Sequence, residues 1–400
     1  MDIWANAQPK LPGWKNLIIK MMRYIIAILS MIVVVAVTSC REDIYIYPSS
    51  SEKVDIPQAT GIDGFYLLNE GNMGSNKCTL DYFDETTGNY IRNIYAERNP
   101  SAVKELGDVG NDLELYGSRL YAVINCSHKV EVMNAADACR ISQIDIPNCR
   151  YAIGHGGYLY VSSYVSPVQR DVRAPRGAVF KIDTLSLAVV GRVDVGYQPE
   201  EMAISNGKLY VANSGGYRAP DYDRTVSVIN LDYFAVVEEI DVDINLHRVK
   251  VDDHGMVYVT SRGNHAQVPS SLYVIDSSTD EVVAKVDVPV SDLAIWGDSA
   301  YVYSAQTNNL TGATSISYSI LDLCSLQVVD DSIVKDGTDA NIKMPHCIAV
   351  HPISGDIYIT DARNYVSRGK IHCYSRDGVL KWSQTTGEIP AHIAFKKTYK

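Results

Sequence analysis

The chain has 400 residues, of which 46% are hydrophobic and 21% are charged, so it can bury a sizeable core and is not composed like a disordered protein. Its formal net charge of −11 excludes the strongly basic surface by which proteins bind nucleic acid, and it provides no long-range attraction to anionic lipid. Tyrosine outnumbers phenylalanine, 27 to 5, which suits half-buried strands and hydrated binding surfaces.

The first predicted element is a signal peptide. An apolar run at 24–37 follows Arg23, and it is too short to span a bilayer as a helix. The run ends in Val-Thr-Ser before Cys40, and small residues in front of a cysteine resemble a lipoprotein signal-peptidase site. We therefore expect Cys40 to carry a lipid anchor. An ordinary secretory signal beside a chance cysteine is the alternative.

Basic residues precede this segment and acidic residues follow it. Lys20 and Arg23 would enclose the start of the signal if translation began at Met21 or Met22, so residues 1–20 are interpreted as a mis-assigned start. The acidic pair behind Cys40 (Glu42 and Asp43) resembles the surface-export signal of Bacteroidetes lipoproteins. The predicted division is a leader at 1–39, a lipidated tether at 40–60 and a folded domain at 61–400.

The folded region repeats. Its anchor is a tyrosine between two apolar residues, and it occurs seven times, 39 to 57 residues apart, at Tyr66, Tyr121, Tyr160, Tyr210, Tyr258, Tyr301 and Tyr358. Each anchor is followed by a variable loop, a strand ending near Asp or Asn, a short turn and a third strand, and a short strand leads to the next anchor. Four short alternating strands per repeat predict the blade of a β-propeller.

The sequence therefore predicts an all-β, seven-bladed propeller with four-stranded blades. The first repeat lacks its inner strand, and the segment 389–395 has the pattern of one, so we expect it to pair beside 65–68 and close the ring. Two separate β-domains are the alternative, and they would not predict this complementarity.

Because successive strands are antiparallel, the long loops after the anchor strands share one face, which we call the loop face, and loops on a rigid scaffold commonly carry function. Arginine and tyrosine are frequent anchors of binding sites. The candidate ligand-binding residues on these loops are Tyr164, Arg173, Arg176, Tyr217, Arg218, Tyr222, Arg224, Arg262, His265, Asn308, Arg363 and Tyr365. A solvated loop face without a ligand is the alternative.

One residue per blade is expected just inside the channel. These are Asp112, Arg150, Glu201, Arg248, Asp292, Cys347 and His392. Their alternating charge favours ionic pairing around a narrow pore, with the floor of a ligand site as the alternative. His247, His346 and His392 come from different blades in unlike registers, which argues against a metal site.

No nucleophile elbow, P-loop, dinucleotide fingerprint or zinc-type cysteine spacing appears. We therefore expect neither a cofactor nor a resident metal, and a binding protein rather than an enzyme. Cys139 and Cys149 flank one strand and should lie too far apart for a disulfide; Cys126 and Cys149 are a weaker candidate pair.

The anchor repeat resembles the YncE-type seven-bladed propellers over about 61–400. A narrower likeness lies in three stretches, which resemble BtuG-type surface lipoproteins of gut Bacteroidetes: Leu68–Asn76 with its Asn-Glu-Gly sequence, Glu97–Pro100 and Gly107–Asp112. That resemblance implies capture of cobalamin at the cell outer membrane and delivery to a TonB-dependent, BtuB-like transporter, with cobalamin as ligand and the membrane reached through the lipid anchor. The acidic net charge, separately, argues against a nucleic-acid partner.

Two other functions stay open at this point. A surface glycan-binding propeller would use the same face, although tryptophan, with four residues, is scarce for aromatic platforms. A propeller hydrolase or lyase would need a metal or a cluster of His and Glu at the channel mouth.

Overall fold

The computed structural model describes residues 59–103, 105–166 and 173–399, which form seven four-stranded antiparallel sheets arranged as the blades of a ring. The predicted seven-bladed propeller is confirmed. The signal segment, Cys40 and the tether up to residue 58 lie outside the described residues, and the first strand already begins at Ala59. Within the described part of the chain, no helix is long and apolar enough to cross a membrane.

Blades 1 and 2 contain β1 (Ala59–Asn69), β2 (Thr79–Asp84), β3 (Asn89–Ile91), the short helix α1 (Ile94–Arg98), β4 (Gly110–Tyr116), β5 (Arg119–Ile124), β6 (Lys129–Asn134) and β7 (Arg140–Asp145). Blades 3 and 4 contain β8 (Cys149–His155), β9 (Tyr158–Ser163), β10 (Ala178–Asp183), β11 (Val189–Asp194), β12 (Pro199–Ser205), β13 (Lys208–Asn213), β14 (Thr225–Asn230) and β15 (Ala235–Asp241), with a 3₁₀ turn at Gly216–Arg218.

Blades 5 and 6 contain β16 (Leu246–Val251), β17 (Met256–Ser261), β18 (Ser271–Asp276), β19 (Glu281–Val286), β20 (Asp292–Trp296), β21 (Ser299–Thr307), β22 (Thr314–Asp322) and β23 (Gln327–Asp330). Blade 7 contains β24 (Pro345–Val350), β25 (Ile357–Asp361), β26 (Arg368–Tyr374) and β27 (Leu380–Glu388), preceded by a 3₁₀ turn at Thr338–Asn341, and β28 (Pro390–Tyr399) belongs to blade 1.

The ring closes as expected, through β28. Blade 1 has the strand order β28-β1-β2-β3, so its inner strand comes from the far end of the sequence. The antiparallel register pairs Phe65 with Phe395 and Leu68 with His392. Every blade thus has an inner strand hydrogen-bonded to the strand that carries the repeated tyrosine.

The repeated tyrosines are buried in the core, and some of them also hydrogen-bond to the neighbouring blade. All seven lie on the second strand of a blade and are at most 5% exposed. The Tyr66 hydroxyl of blade 1 donates to the Ala135 carbonyl of blade 2 at 3.0 Å, and the Tyr210 hydroxyl of blade 4 donates to the Asp280 carboxylate of blade 5 at 2.5 Å. In these two blades the tyrosine ring fills the core while its hydroxyl reaches the next blade. Tyr258 instead donates to Asp252 of its own blade, and the Tyr121 hydroxyl has no hydrogen-bond partner among the described residues.

The inner strands carry a bulge near the loop face. In blade 4, Pro199 pairs with Asn213 but Met202 pairs with Val211, so two residues of β12, Glu200 and Glu201, oppose one residue of β13. Similar register shifts occur in β4, β8, β16 and β24. A bulge redirects side chains, so adjacent inner-strand residues reach opposite ends of the channel.

All seven cysteines of the described residues are free. Cys139 and Cys149 are not bonded to each other, as predicted, and the weaker candidate pair of Cys126 and Cys149 does not form a disulfide either.

Candidate ligand-binding site

A cavity of about 420 Å³ lies on the loop face, built by loops and inner strands of blades 3 to 6. We call it the mouth pocket. It is lined by Arg150, Tyr164, Glu200, Gly216, Tyr217, Ala219, Tyr222, Asn245, Arg262, His265 and Asn309.

Glu200 is the centre of the mouth pocket and is 1% exposed. One carboxylate oxygen, Oε2, accepts hydrogen bonds from the Arg150 guanidinium, at 2.9 Å from its terminal nitrogen. The other, Oε1, accepts from the Tyr164 hydroxyl at 2.6 Å and from Arg262 at 3.1 Å. Burial alone would raise the pKa of Glu200, but the two arginines and the Tyr164 hydroxyl outweigh it and hold the pKa at about 2. Glu200 is therefore a fixed anion that positions two guanidinium groups.

The backbone fixes two of these side chains in the same way. The residue that precedes the inner strand adopts a left-handed conformation, at Asn148 (φ 46°) and at Asn245 (φ 56°). Its carbonyl accepts a hydrogen bond from a residue that follows the second strand, Tyr164 in blade 3 and Arg262 in blade 5. Asparagine tolerates the left-handed region better than most residues, so this local chemistry places Tyr164 and Arg262 at equivalent positions.

A second cavity of about 380 Å³ adjoins the first across blades 5, 6 and 7, and we call it the channel pocket. It shares Arg262, His265 and Asn309 with the mouth pocket. The backbone N–H of Asn309 donates to the His265 carbonyl at 2.9 Å, so the loops of blades 5 and 6 support each other. The other residues that line it are His247, Arg248, Val290, Ser291, Tyr303, Ala305, Gln306, Thr307, Pro345, His346 and Tyr365.

The histidines of the channel do not converge on one point. His247 Nε2 lies 3.0 Å from the Tyr151 hydroxyl, while His346 and His392 approach Glu70 Oε1 at 3.4 and 3.9 Å. Burial, and then nearby positive charge, holds the pKa of His247 and of His392 well below the usual value. Among the described residues, no group of three or more His, Cys, Asp or Glu side chains is arranged to hold a metal ion.

The opposite end of the channel opens into a third cavity of about 400 Å³. Here the predicted ionic pairing holds in part. Arg248 forms ion pairs, 3.4 Å from Asp292 and 3.9 Å from Glu201. His392 lies 3.3 Å from Asp112, but its lowered pKa leaves the ring neutral, so this contact is not an ion pair. Arg150, by contrast, pairs with Glu200 and lines the mouth pocket, because the bulge in β8 turns it toward the loop face.

Two carboxyl groups on β4 line this third cavity with backbone N–H groups as partners. Asp112 accepts from the Ala152 N–H and Glu114 from the Gly154 N–H, both at 2.8 Å. Burial raises the pKa of Asp112 to about 6 and that of Glu114 to about 8, against the opposing effect of those N–H donors.

The structure brings together six of the twelve candidate loop residues. Tyr164, Tyr217, Tyr222, Arg262 and His265 line the mouth pocket, and Tyr365 lines the channel pocket with Arg262 and His265.

The other six candidates lie elsewhere. Arg176 and Arg224 reach the outer strand β15 and pair with Glu239 and Asp241. Asn308 caps its own turn by accepting from the Leu310 and Thr311 N–H groups. Arg218 stacks 3.8 Å from the centre of the Tyr197 ring. The lining of the two loop-face pockets includes neither Arg173 nor Arg363.

Glu200, Gly216 and Asn245 are site residues that sequence reasoning did not single out. The alignment of the inner strands selects Glu201 as the channel residue of blade 4, and in a regular strand the adjacent Glu200 would point to the opposite face. Asn245 precedes an inner strand rather than following an anchor strand, so it lies outside the long loops. The available signal was the asparagine at the same step of two blades, Asn148 and Asn245.

Solved structures with low sequence identity share the fold. A quinonprotein alcohol dehydrogenase-like protein from Bacteroides thetaiotaomicron is 17% identical, with 83% of this chain and 78% of that chain covered and a TM-score of 0.54. A hypothetical selenium-binding protein from Sulfolobus tokodaii is 11% identical, with 84% and 94% covered and a TM-score of 0.61. A putative 6-phosphogluconolactonase from Bacteroides fragilis is 12% identical, with 84% and 99% covered and a TM-score of 0.57.

These likenesses carry the fold and not the activities. No curated protein sequence matches the chain. One family model does match, over residues 63–400, and the chain belongs to that family, which is described as a domain of unknown function (DUF5074).

Proposed function

We propose that this protein is a binding protein whose loop face captures cobalamin, rather than an enzyme. The observation that carries the proposal is the joined basin formed by the mouth pocket and the channel pocket, which share Arg262, His265 and Asn309. A rigid, concave surface with a few polar groups among aromatic rings is the usual form of a small-molecule site. Two adjoining cavities suit a ligand with two chemically different parts.

The lining matches the chemistry of this ligand. Cobalamin has a flat corrin ring edged with amide groups, and such amides need both donors and acceptors. Arg262, Asn309 and Gln306 supply those groups around the basin, while Tyr217, 5.9 Å from Tyr164 edge to face, supplies apolar surface.

The BtuG-like stretches support the same location. The Asp108 carboxylate accepts from the Gly74 and Asn76 N–H groups, so the first and third stretches pack together. In the first of these stretches, the Asn72 side chain donates to the carbonyl of Tyr365, a residue that lines the channel pocket. Glu70 reaches His346, which lines that pocket. The second stretch makes different contacts. Its Asn99 side chain donates to the Ala138 carbonyl and accepts from the Arg140 N–H, so it caps the turn of blade 2.

The experiment is a titration of the purified full-length protein with cyanocobalamin, followed by calorimetry and by visible absorbance. Tyr217→Ala and Tyr365→Ala should each weaken binding by about 30-fold, equivalent to about 2 kcal/mol for an anchor residue. Asp377→Ala, an exposed turn residue of blade 7, is the control and should bind normally. Well-folded protein that shows no heat or spectral change with cobalamin would overturn the proposal, and binding of oligosaccharides instead would favour the glycan alternative.

Capture at the cell surface further requires the lipid anchor predicted at Cys40, and delivery of the ligand to a TonB-dependent transporter is part of the proposal. Cys40→Ala should move the protein from the membrane fraction to the soluble fraction or leave it unprocessed, because acyl chains bind membranes at about 0.8 kcal/mol per buried CH₂. Fractionation with immunodetection measures this. A processed variant that stays in the membrane would contradict the assignment, and Asp377→Ala again provides the control.

A further inference from the structure

The mouth pocket has more positive charge than its own residues neutralise. Its lining contains two guanidinium groups, Arg150 and Arg262, and one carboxylate, Glu200, which leaves a formal charge of +1. The oxygens of Glu200 are already occupied, since they accept from both arginines, from Tyr164 and from the Ser214 hydroxyl at 3.4 Å. Glu200 is therefore unsuited to receive a donor from a ligand, and the excess charge favours an anion.

Arg262 has capacity left for that anion. Of its five N–H groups, one bond joins its terminal nitrogen to Glu200, and Nε has no hydrogen-bond partner among the described residues. Its side chain is 27% exposed, so it borders the pocket rather than lying sealed in the core. Tyr217 and Tyr222 line the same pocket, and partial exclusion of water strengthens an interaction between charges.

Asn245 provides a second, independent indication of what the ligand contains, because it offers an unpaired hydrogen-bond acceptor. It is 2% exposed and lines the pocket, and its Nδ2 donates to the Gly263 carbonyl at 2.9 Å. Its Oδ1 accepts no hydrogen bond from any described residue, and leaving a buried acceptor unpaired costs about 1–3 kcal/mol. A ligand that places an N–H or O–H group here would satisfy it.

The anion and the donor would have to sit next to each other. A methyl group placed on Gly216 would lie 3.5 Å from Asn245 Oδ1 and 3.6 Å from the Arg262 terminal nitrogen, so both groups face one small space. We propose that the mouth pocket is a subsite for a phosphodiester flanked by a hydrogen-bond donor. This inference rests on the proposed function, and in cobalamin it assigns the pocket to the nucleotide loop, where the phosphodiester lies beside a ribose hydroxyl and an amide N–H.

The test compares cobalamin with cobinamide, which retains the corrin ring and its amides but lacks the nucleotide loop's phosphodiester, ribose and base. In the full-length protein, Arg262→Gln should weaken cobalamin binding by about tenfold to a hundredfold, the loss expected for a hydrogen bond to a charged group, and should change cobinamide binding less than about twofold. Arg376→Gln is the matched control and should leave both affinities unchanged, since this arginine of blade 7 stacks on Trp296 of blade 6 and lines neither loop-face pocket.

Gly216→Ala is a second variant that tests the same subsite if Arg262→Gln fails to fold. Its new methyl group would meet its neighbours at ordinary contact distances, so the protein should melt at the wild-type temperature while losing about tenfold in cobalamin affinity alone. Equal wild-type affinity for cobalamin and cobinamide, or equal losses for both ligands in the variants, would overturn the subsite while leaving cobalamin capture intact. Absence of binding by either corrinoid would overturn the proposed function and the subsite together.

Discussion

At the scale of single residues, Glu200 illustrates how a buried charge can organise a site. Its side chain is 2% exposed and its partners Arg150 and Arg262 are 15% and 27% exposed. A buried ion pair does not necessarily stabilise a protein more than apolar packing would, but removal of one partner leaves a buried charge uncompensated. The value of Glu200 is thus positional, because it holds both arginines at the wall of the mouth pocket.

We predict that Glu200→Gln lowers the free energy of unfolding by about 3 kcal/mol at pH 7. Because the folded-state pKa is about 2 and the ordinary value is 4.5, this stabilisation is present above pH 4.5 and is lost as the pH falls toward 2. Denaturant unfolding at pH 7 and near pH 3 measures the change. The exposed pair of Glu239 and Arg176 gives the control, since Glu239→Gln should cost less than about 1 kcal/mol. A difference of the same size at both pH values would contradict the prediction.

Glu114 should have the opposite pH dependence. Burial raises its pKa from 4.5 to about 8, so the folded protein holds a proton that the unfolded chain releases. From this group alone, the free energy of unfolding should fall by about 1.4 kcal/mol per pH unit between pH 5 and pH 8 and stay level above pH 8. Glu114→Gln keeps an acceptor for the Gly154 N–H and should remove that slope, which denaturant unfolding across this range measures. A variant with the wild-type slope would contradict the assignment.

At the scale of elements, the strands could be predicted from the sequence and the bulges could not. The stretch that forms β6 (Lys129–Asn134) has the alternating apolar residues expected of a strand in the repeat, and these residues are buried in the sheet. The bulge that sends Glu200 and Glu201 to opposite ends of the channel adds one residue without altering composition. Loop lengths could therefore predict the face on which the candidate site lies, while the lining of its pockets depends on local backbone geometry.

The hairpins between third and fourth strands repeat one backbone feature that the sequence conceals. A residue in the left-handed region occurs in every blade, at Gly88, Ala138, Leu187, Phe234, Asp280, Leu326 and Gly378. A turn that ends in a left-handed residue and a bulge is a common hairpin connection. Only two of the seven residues are glycine, so a search for glycine turn signals does not find the repeat.

These two glycines give a matched pair of substitutions. At Gly88 (φ 74°) an added Cβ meets nothing within 4 Å, so Gly88→Ala should cost only the left-handed strain of about 1 kcal/mol. At Gly378 (φ 77°) the Cβ would lie 2.3 Å from the Ile333 carbonyl oxygen, and the cost should be clearly larger. Unfolding in denaturant compares the two variants, and equal losses would show that the backbone relaxes at Gly378.

At the scale of the whole molecule, the site requires a closed ring. The mouth pocket takes side chains from blades 3, 4, 5 and 6, and the channel pocket takes side chains from blades 5, 6 and 7. Strand β28 holds the ring closed beside β1, with His392 of that strand reaching Asp112 of blade 2. Residues far apart in sequence therefore line adjoining cavities in a ring that this single strand pairing closes.

We therefore predict that a chain ending at Glu388 loses cooperative unfolding and aggregates, because β1 becomes an unpaired edge with apolar residues such as Phe65 and Leu67. Thermal melting and light scattering measure this. A chain ending at Lys397 is the matched control, since it keeps the pairing from Ile62 to Asn69 and should melt like the full chain. A synthetic peptide of residues 389–400 should restore cooperative melting to the shorter chain by re-forming the β1–β28 ladder. If the chain ending at Glu388 melts like the full protein without the peptide, closure by β28 does not stabilise the ring, and the blades must be held by their mutual packing alone.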